Sequence, residues 1–137
     1  MTTKAKLLYV EDYPVIQTMY ADALKARGFT VDSANDGKAA MIKLADNTYD
    51  LVLLDLLLPQ VTGVEFLREF VKTHDPAKVI ILTDFDRPET MKEVKELGVK
   101  HYWIKVENTP HLLAERLEKV LAGKEPDDPA TTDAPSR

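Results

Sequence analysis

Carboxylates, a hydroxyl and an amine recur at the ends of short apolar runs in this 137-residue chain. Glu11 and Asp12 end the first run, Asp55 interrupts LVLLDLLLP, Thr83 and Asp84 follow VIIL, and Lys105 follows YWI. Taken singly, each has an ordinary structural role. Asp12 before Tyr13-Pro14 fits a helix N-cap, Thr83 a β-branched strand residue, and Lys105 a solvated surface lysine. Asp55 is different, because a charge among apolar neighbours costs several kcal/mol unless it is compensated. Something cationic must stand near it. A hard divalent cation held by Asp12 and Asp55, with Glu11 bridged through water, satisfies all three acids. Oxygen ligands without cysteine or clustered histidine point to Mg²⁺ or Mn²⁺ over zinc. His74, His101 and His111 fall on three elements at no metal-ligand spacing and read as surface side chains.

These residues need a scaffold that gathers them. Strand-like apolar runs occur at residues 6–10, 29–34, 51–57, 79–82 and 102–104, several without polar interruption, as in strands covered on both faces. Helical stripes lie between them: Ile16, Met19, Tyr20, Ala23 and Leu24, stopped by Gly28; an Ala-rich stretch at 37–45; and Val64, Leu67, Phe70 and Val71. A narrower fourth stripe has Met91, Val94 and Leu97 before Gly98, and a fifth has Leu112, Leu113, Arg116, Leu117, Val120 and Leu121 before Gly123. Pro14, Pro88 and Pro110 suit first helical turns, with Asp86 and Thr109 as caps. Trp103 reads as core, and Gly63 as the turn into the third helix. Five strand–helix units in alternation predict a doubly wound α/β sheet, in which all strand ends face one crevice.

Composition narrows the function. Lys+Arg 18 against Asp+Glu 23 gives −5, so no basic excess marks a nucleic-acid or anionic-membrane partner. The absence of Cys removes disulfides, thiolate zinc sites and cysteine nucleophiles. Apolar runs such as residues 56–59 are far shorter than the roughly 20 residues of a membrane span, and no signal peptide is legible, so a cytoplasmic location is expected. Residues 1–123 are expected to form the domain. Residues 124–137, with three of the eight prolines and a charge of −2 from four acids against Lys124 and Arg137, read as a disordered tail.

The set Glu11-Asp12, Asp55 followed at fixed intervals by Pro59 and Gly63, Thr83, and Tyr102-Trp103-Ile104-Lys105 resembles the receiver domain of two-component response regulators, over residues 4 to 123. The resemblance implies a flavodoxin-like (βα)5 fold with strand order 2-1-3-4-5. It implies that Asp55 accepts a phosphoryl group from a sensor histidine kinase, a phosphotransfer protein or a small phosphodonor, without the chain being an enzyme in the turnover sense. Mg²⁺, or Mn²⁺, would be held by Glu11, Asp12, Asp55 and the backbone carbonyl of Leu57, while Lys105 and Thr83 would bind phosphoryl oxygens. Thr83 and Tyr102 would form the switch. A downstream protein would read the face of the fourth helix, fifth strand and fifth helix, where Lys92, Lys95, Lys100, His101 and Arg116 are expected, with the chain a monomer or a phosphorylation-dependent dimer.

Three positions depart from the pattern. Val106 stands where the family usually has proline after its lysine, and its peptide bond is expected to be trans. Asp84 adds a carboxylate where the family favours a small residue, which should slow phosphorylation by repulsion. Leu57, two residues after Asp55, cannot orient an attacking water, so slow self-hydrolysis is expected. A phosphohydrolase of the haloacid dehalogenase type would need an acid at position 57. A pseudo-receiver, binding partners constitutively without phosphorylation, is the alternative that Asp84 and Val106 favour.

Overall fold

Five apolar segments pair through their backbones because each is too short and too hydrophobic to stand in water. In the computed structural model, which describes residues 4–124, they form β1 (Lys6–Val10), β2 (Thr30–Ala34), β3 (Leu51–Leu54), β4 (Val79–Thr83) and β5 (His101–Ile104). All pairings are parallel and the order is β2-β1-β3-β4-β5, the flavodoxin-like arrangement expected. Val10 pairs with Ala34 on one side and Leu54 on the other, so the chain directions diverge around β1 and leave a crevice at its carboxyl end. Of the expected tail, residues 124–137, all but Lys124 lie outside the described residues.

Helices α1 (Pro14–Ala26), α2 (Gly37–Asp46), α3 (Gly63–Phe70) and α4 (Pro88–Glu96) make the crossovers, and α5 (Pro110–Leu121) follows β5 and packs beside α1. Strand side chains alternate between two cores. Leu8, Val10, Leu54, Ile81 and Tyr102 pack with Ala40, Phe66, Phe70 and Val94, on the side of α2, α3 and α4. Leu7, Tyr9, Leu53, Leu82 and Trp103 pack with Tyr20, Leu24, Leu113 and Leu117, on the side of α1 and α5. Burial on both faces is why these strands read as continuous apolar runs.

Local expectations were met unevenly. Pro14, Pro88 and Pro110 open their helices, and Thr109 caps α5 by accepting the Leu112 amide at 3.3 Å. Asp12 and Asp86 cap nothing: the N-cap positions fall on Tyr13 and Arg87, neither with a side-chain bond. Two better caps are Asp36, which accepts the Ala39 amide at 2.7 Å, and Thr62, which forms a reciprocal capping box with Glu65. Met19 is exposed, and Ala21 takes the inward place on α1. β3 stops at Leu54 rather than Leu57, because Asp55 onward leaves the sheet. Arg116 is buried, not on the partner-reading face; its guanidinium lies 4.1 Å from the Trp103 ring and donates to Asn108.

Candidate functional site

Leaving the sheet after Leu54 puts Asp55 at the crevice floor, almost fully buried. Its backbone amide still donates to Val10 at 3.1 Å, so its Cα is fixed by the β1 ladder while its side chain is free to face the rim. The chain then returns through Gln60, a non-glycine residue in the left-handed region at φ 64, to start α3 at Gly63. Gly63 does not supply that turn. A Cβ there would meet Leu56 Cα at 2.5 Å and the Asp55 carbonyl oxygen at 2.7 Å, so glycine is required by close approach of the α3 N-terminus to the Asp55 backbone.

The expected site residues meet at this rim. Asp55 Oδ1 accepts the Thr83 hydroxyl at 2.7 Å and the Leu57 amide at 3.0 Å. Asp55 Oδ2 accepts the Lys105 ammonium at 2.7 Å, and the same ammonium donates to Glu11 Oε1 at 2.6 Å. The cation that buried Asp55 demanded is therefore supplied within the chain by Lys105. Burial works against the Lys105 charge, but the hydrogen bonds and charges of Asp55 and Glu11 outweigh it and raise its pKa above the ordinary lysine value. One oxygen from each of Glu11, Asp12 and Asp55 lies within 4.8 Å of the others. This oxygen-only set fits a hard divalent cation such as Mg²⁺, which needs only one or two carboxylates and keeps waters.

Glu11, like Asp55, is held from behind. Glu11 accepts the Tyr9 hydroxyl at 3.2 Å on Oε1 and the Tyr13 amide at 3.1 Å on Oε2. Burial, then the adjacent Glu11 charge, pushes the Tyr9 hydroxyl far above the usual tyrosine range, so it remains a donor. Asp12 is exposed at the mouth. Sequence reasoning passed over Tyr9 because it reads as one more strand residue; a phenol on the same strand face as Glu11, two residues away, was the available signal.

Thr83 connects the site to the fold's other face. Its oxygen accepts the Phe85 amide at 3.2 Å while its proton goes to Asp55. Tyr102, fully buried, donates its hydroxyl to the Phe85 carbonyl. Asp84 turns to the opposite side of this loop, where Oδ1 accepts the Val106 amide at 2.9 Å. The structure contains no cis peptide among the described residues, so Lys105–Val106 is trans as expected. Leu57, 53% exposed, occupies the place a phosphohydrolase of the haloacid dehalogenase type fills with an acid. None of the three histidines belongs to the acidic group: His74 stacks on Phe70, His101 lies against Trp103, and His111 pairs with Glu115.

Comparisons with known proteins agree with this geometry. The transcriptional regulatory protein QseB of Haemophilus influenzae is 34% identical over 117 residues, covering 85% of this chain and 51% of that protein. The gliding motility regulatory protein of Myxococcus xanthus is 31% identical over 119 residues, covering 85% of this chain and 15% of that protein. The chain thus spans about half, or less, of these relatives' lengths. The solved chemotaxis response regulator CheY4 of Vibrio cholerae superposes with a TM-score of 0.74 at 30% identity, covering 86% of this chain and 99% of that one. The sequence profile of the response regulator receiver domain matches residues 7–117, from β1 into α5, and the chain belongs to that family of phosphorylatable modules of two-component signalling.

Proposed function

We propose that Asp55 is the phosphoacceptor of this receiver, assisted by Lys105 and Thr83. The observation that carries this reading is that both Asp55 oxygens are already aimed by these partners, at 2.7 Å each. The Asp55 carboxylate attacks phosphorus in line while the bond to the donor's nitrogen or oxygen breaks, and the leaving group takes those electrons. Lys105 then pairs with one phosphoryl oxygen and Thr83 donates to another, so the same two groups that steady the carboxylate steady the product. Glu11, Asp12, Asp55 and the Leu57 carbonyl would hold Mg²⁺, or Mn²⁺, whose charge offsets that of the incoming phosphoryl group.

The switch reading starts from Thr83 already donating to Asp55 and Tyr102 already turned inward onto Phe85. Phosphorylation stabilises this arrangement over one with Tyr102 turned out, a population shift and not a new fold. The face altered is that of α4, β5 and α5, with Lys92, Lys95, Lys100 and His101 but without buried Arg116. Its partners would be a sensor histidine kinase or phosphotransfer protein upstream and a protein target downstream. The chain catalyses at most its own phosphorylation and dephosphorylation, acts as a monomer or a phosphorylation-dependent dimer, and works in the cytoplasm. No helix of the described residues is long and apolar enough to cross a membrane.

The test is to incubate the chain with acetyl phosphate and Mg²⁺ and detect a hydroxylamine-labile acyl phosphate by intact mass. Modification that disappears in Asp55→Asn is expected. No acyl phosphate on a chain that still binds Mg²⁺ would leave the constitutive binding module instead.

A further inference from the structure

Asp84 and Val106, the two positions that depart from the family pattern on neighbouring strand ends, are the two ends of one hydrogen bond. Thr83 and Ile104 are register partners at the last rung of β4 and β5, so Asp84 and Lys105 are the first residues beyond the ladder. No strand pairing holds the backbone there. Lys105 opens a 3-10 turn, Lys105–Glu107, closed from Asn108 to the Lys105 carbonyl at 3.0 Å. Asn108 in turn accepts the Tyr20 hydroxyl at 2.6 Å and donates its side-chain amide to Ile104 at 2.8 Å. Those bonds fix the far end of the turn and hold the Ile104 carbonyl, and the Tyr20 hydroxyl also lies 3.3 Å from the Lys105 carbonyl, tying that carbonyl to α1. At the near end Val106 is 78% exposed and contributes almost no packing, so its N–H on the Asp84 carboxylate, at 2.9 Å, is what ties the turn to β4.

We infer that Asp84 is a positioning residue: by holding the Val106 amide it sets the backbone from which Lys105 reaches Asp55. This rests on the proposed phosphoacceptor role of Asp55. It also gives the extra carboxylate a function that opposes its repulsion of an incoming phosphoryl group.

Charge and hydrogen bonding are separable by comparing Asp84→Asn with Asp84→Ala. Both remove the negative charge equally, and only the asparagine keeps a carbonyl oxygen able to accept the Val106 N–H. With acetyl phosphate and Mg²⁺, Asp84→Asn is expected to be phosphorylated roughly threefold to tenfold faster than Asp84→Ala, the range of one neutral hydrogen bond. Without any phosphodonor, exchange of the Val106 amide and the side-chain NMR signals of Lys105 should change in Asp84→Ala and stay near wild type in Asp84→Asn. Equal phosphorylation rates in the two variants, or unchanged Val106 exchange and Lys105 signals in Asp84→Ala, would overturn the inference. A wild-type chain that accepts no phosphoryl group would instead refute the phosphoacceptor reading, and the NMR comparison would still decide whether Asp84 sets the Lys105 position.

Discussion

Replacing Lys105 with methionine keeps a long unbranched side chain, one atom shorter, and deletes the charge between two buried acids. The ammonium lies 2.6 Å from Glu11 and 2.7 Å from Asp55, whose side chains are 1% and 5% exposed, while that of Lys105 is 14% exposed. Breaking a buried pair from one side costs about 3–5 kcal/mol. The accessible lysine and the open mouth at Asp12 reduce that, so a loss of about 2–4 kcal/mol is expected, a fall of roughly 1–2 M in the urea midpoint. The two carboxylates that lose the ammonium, Glu11 and Asp55, belong to the acidic group that would hold a divalent cation, so their negative charge is left for the ion to offset. Mg²⁺ should therefore bind Lys105→Met more tightly than wild type, and Mg²⁺ at about 100 times its Kd returns about 2.7 kcal/mol. Urea unfolding in EDTA and in Mg²⁺, with Mg²⁺ affinity by calorimetry, measures both effects. The Lys105 pKa is raised in the folded chain, so its contribution is complete below the ordinary lysine value and is lost as pH rises through the raised one. The gap between wild type and variant should thus stay constant from neutral pH to about 10 and close only above it. Equal stability in EDTA, or weaker Mg²⁺ binding in the variant, would refute the reasoning.

Two further outcomes are expected. Phospho-Asp55 should be long-lived, because exposed Leu57 offers nothing to orient water, and Leu57→Asn should shorten its half-life severalfold; a half-life of seconds in wild type, unchanged in the variant, contradicts this. Gly63→Ala should destabilise the chain by at least about 2 kcal/mol and weaken Mg²⁺ binding, since the added methyl meets backbone atoms of Asp55 and Leu56 that no rotamer change can move. Thermal unfolding and Mg²⁺ titration of that variant check it.

The sheet and the meeting of Glu11, Asp12, Asp55, Thr83 and Lys105 were legible because both follow from one rule: in a parallel sheet, whatever ends a strand faces the common rim. Residues whose role depends on partners far along the chain were not. Arg116 sits within the apolar stripe of α5, and its position there was the sign of burial, but its charge argued for the surface. Only the fold brings Trp103 beneath it and Asn108 beside it. Asp84 looked like a repulsive intrusion because its bond to Val106 crosses from one loop to another. Gly63 reads as a turn residue because glycine's commonest use is a positive φ, whereas here the lack of a Cβ is what counts.

The separation of the two cores has an optical consequence. Tyr102 and Trp103 are adjacent in β5 yet sit in different compartments, the phenol against the α4 side and the indole against α1 and α5. The Arg116 guanidinium lies 4.1 Å and the His101 ring 5.5 Å from the centre of the indole ring, both close enough to influence its emission. Tryptophan fluorescence in this protein is thus a gauge of the α5 compartment. A rearrangement that leaves Arg116 and His101 in place should change it little, whereas displacement of either should register.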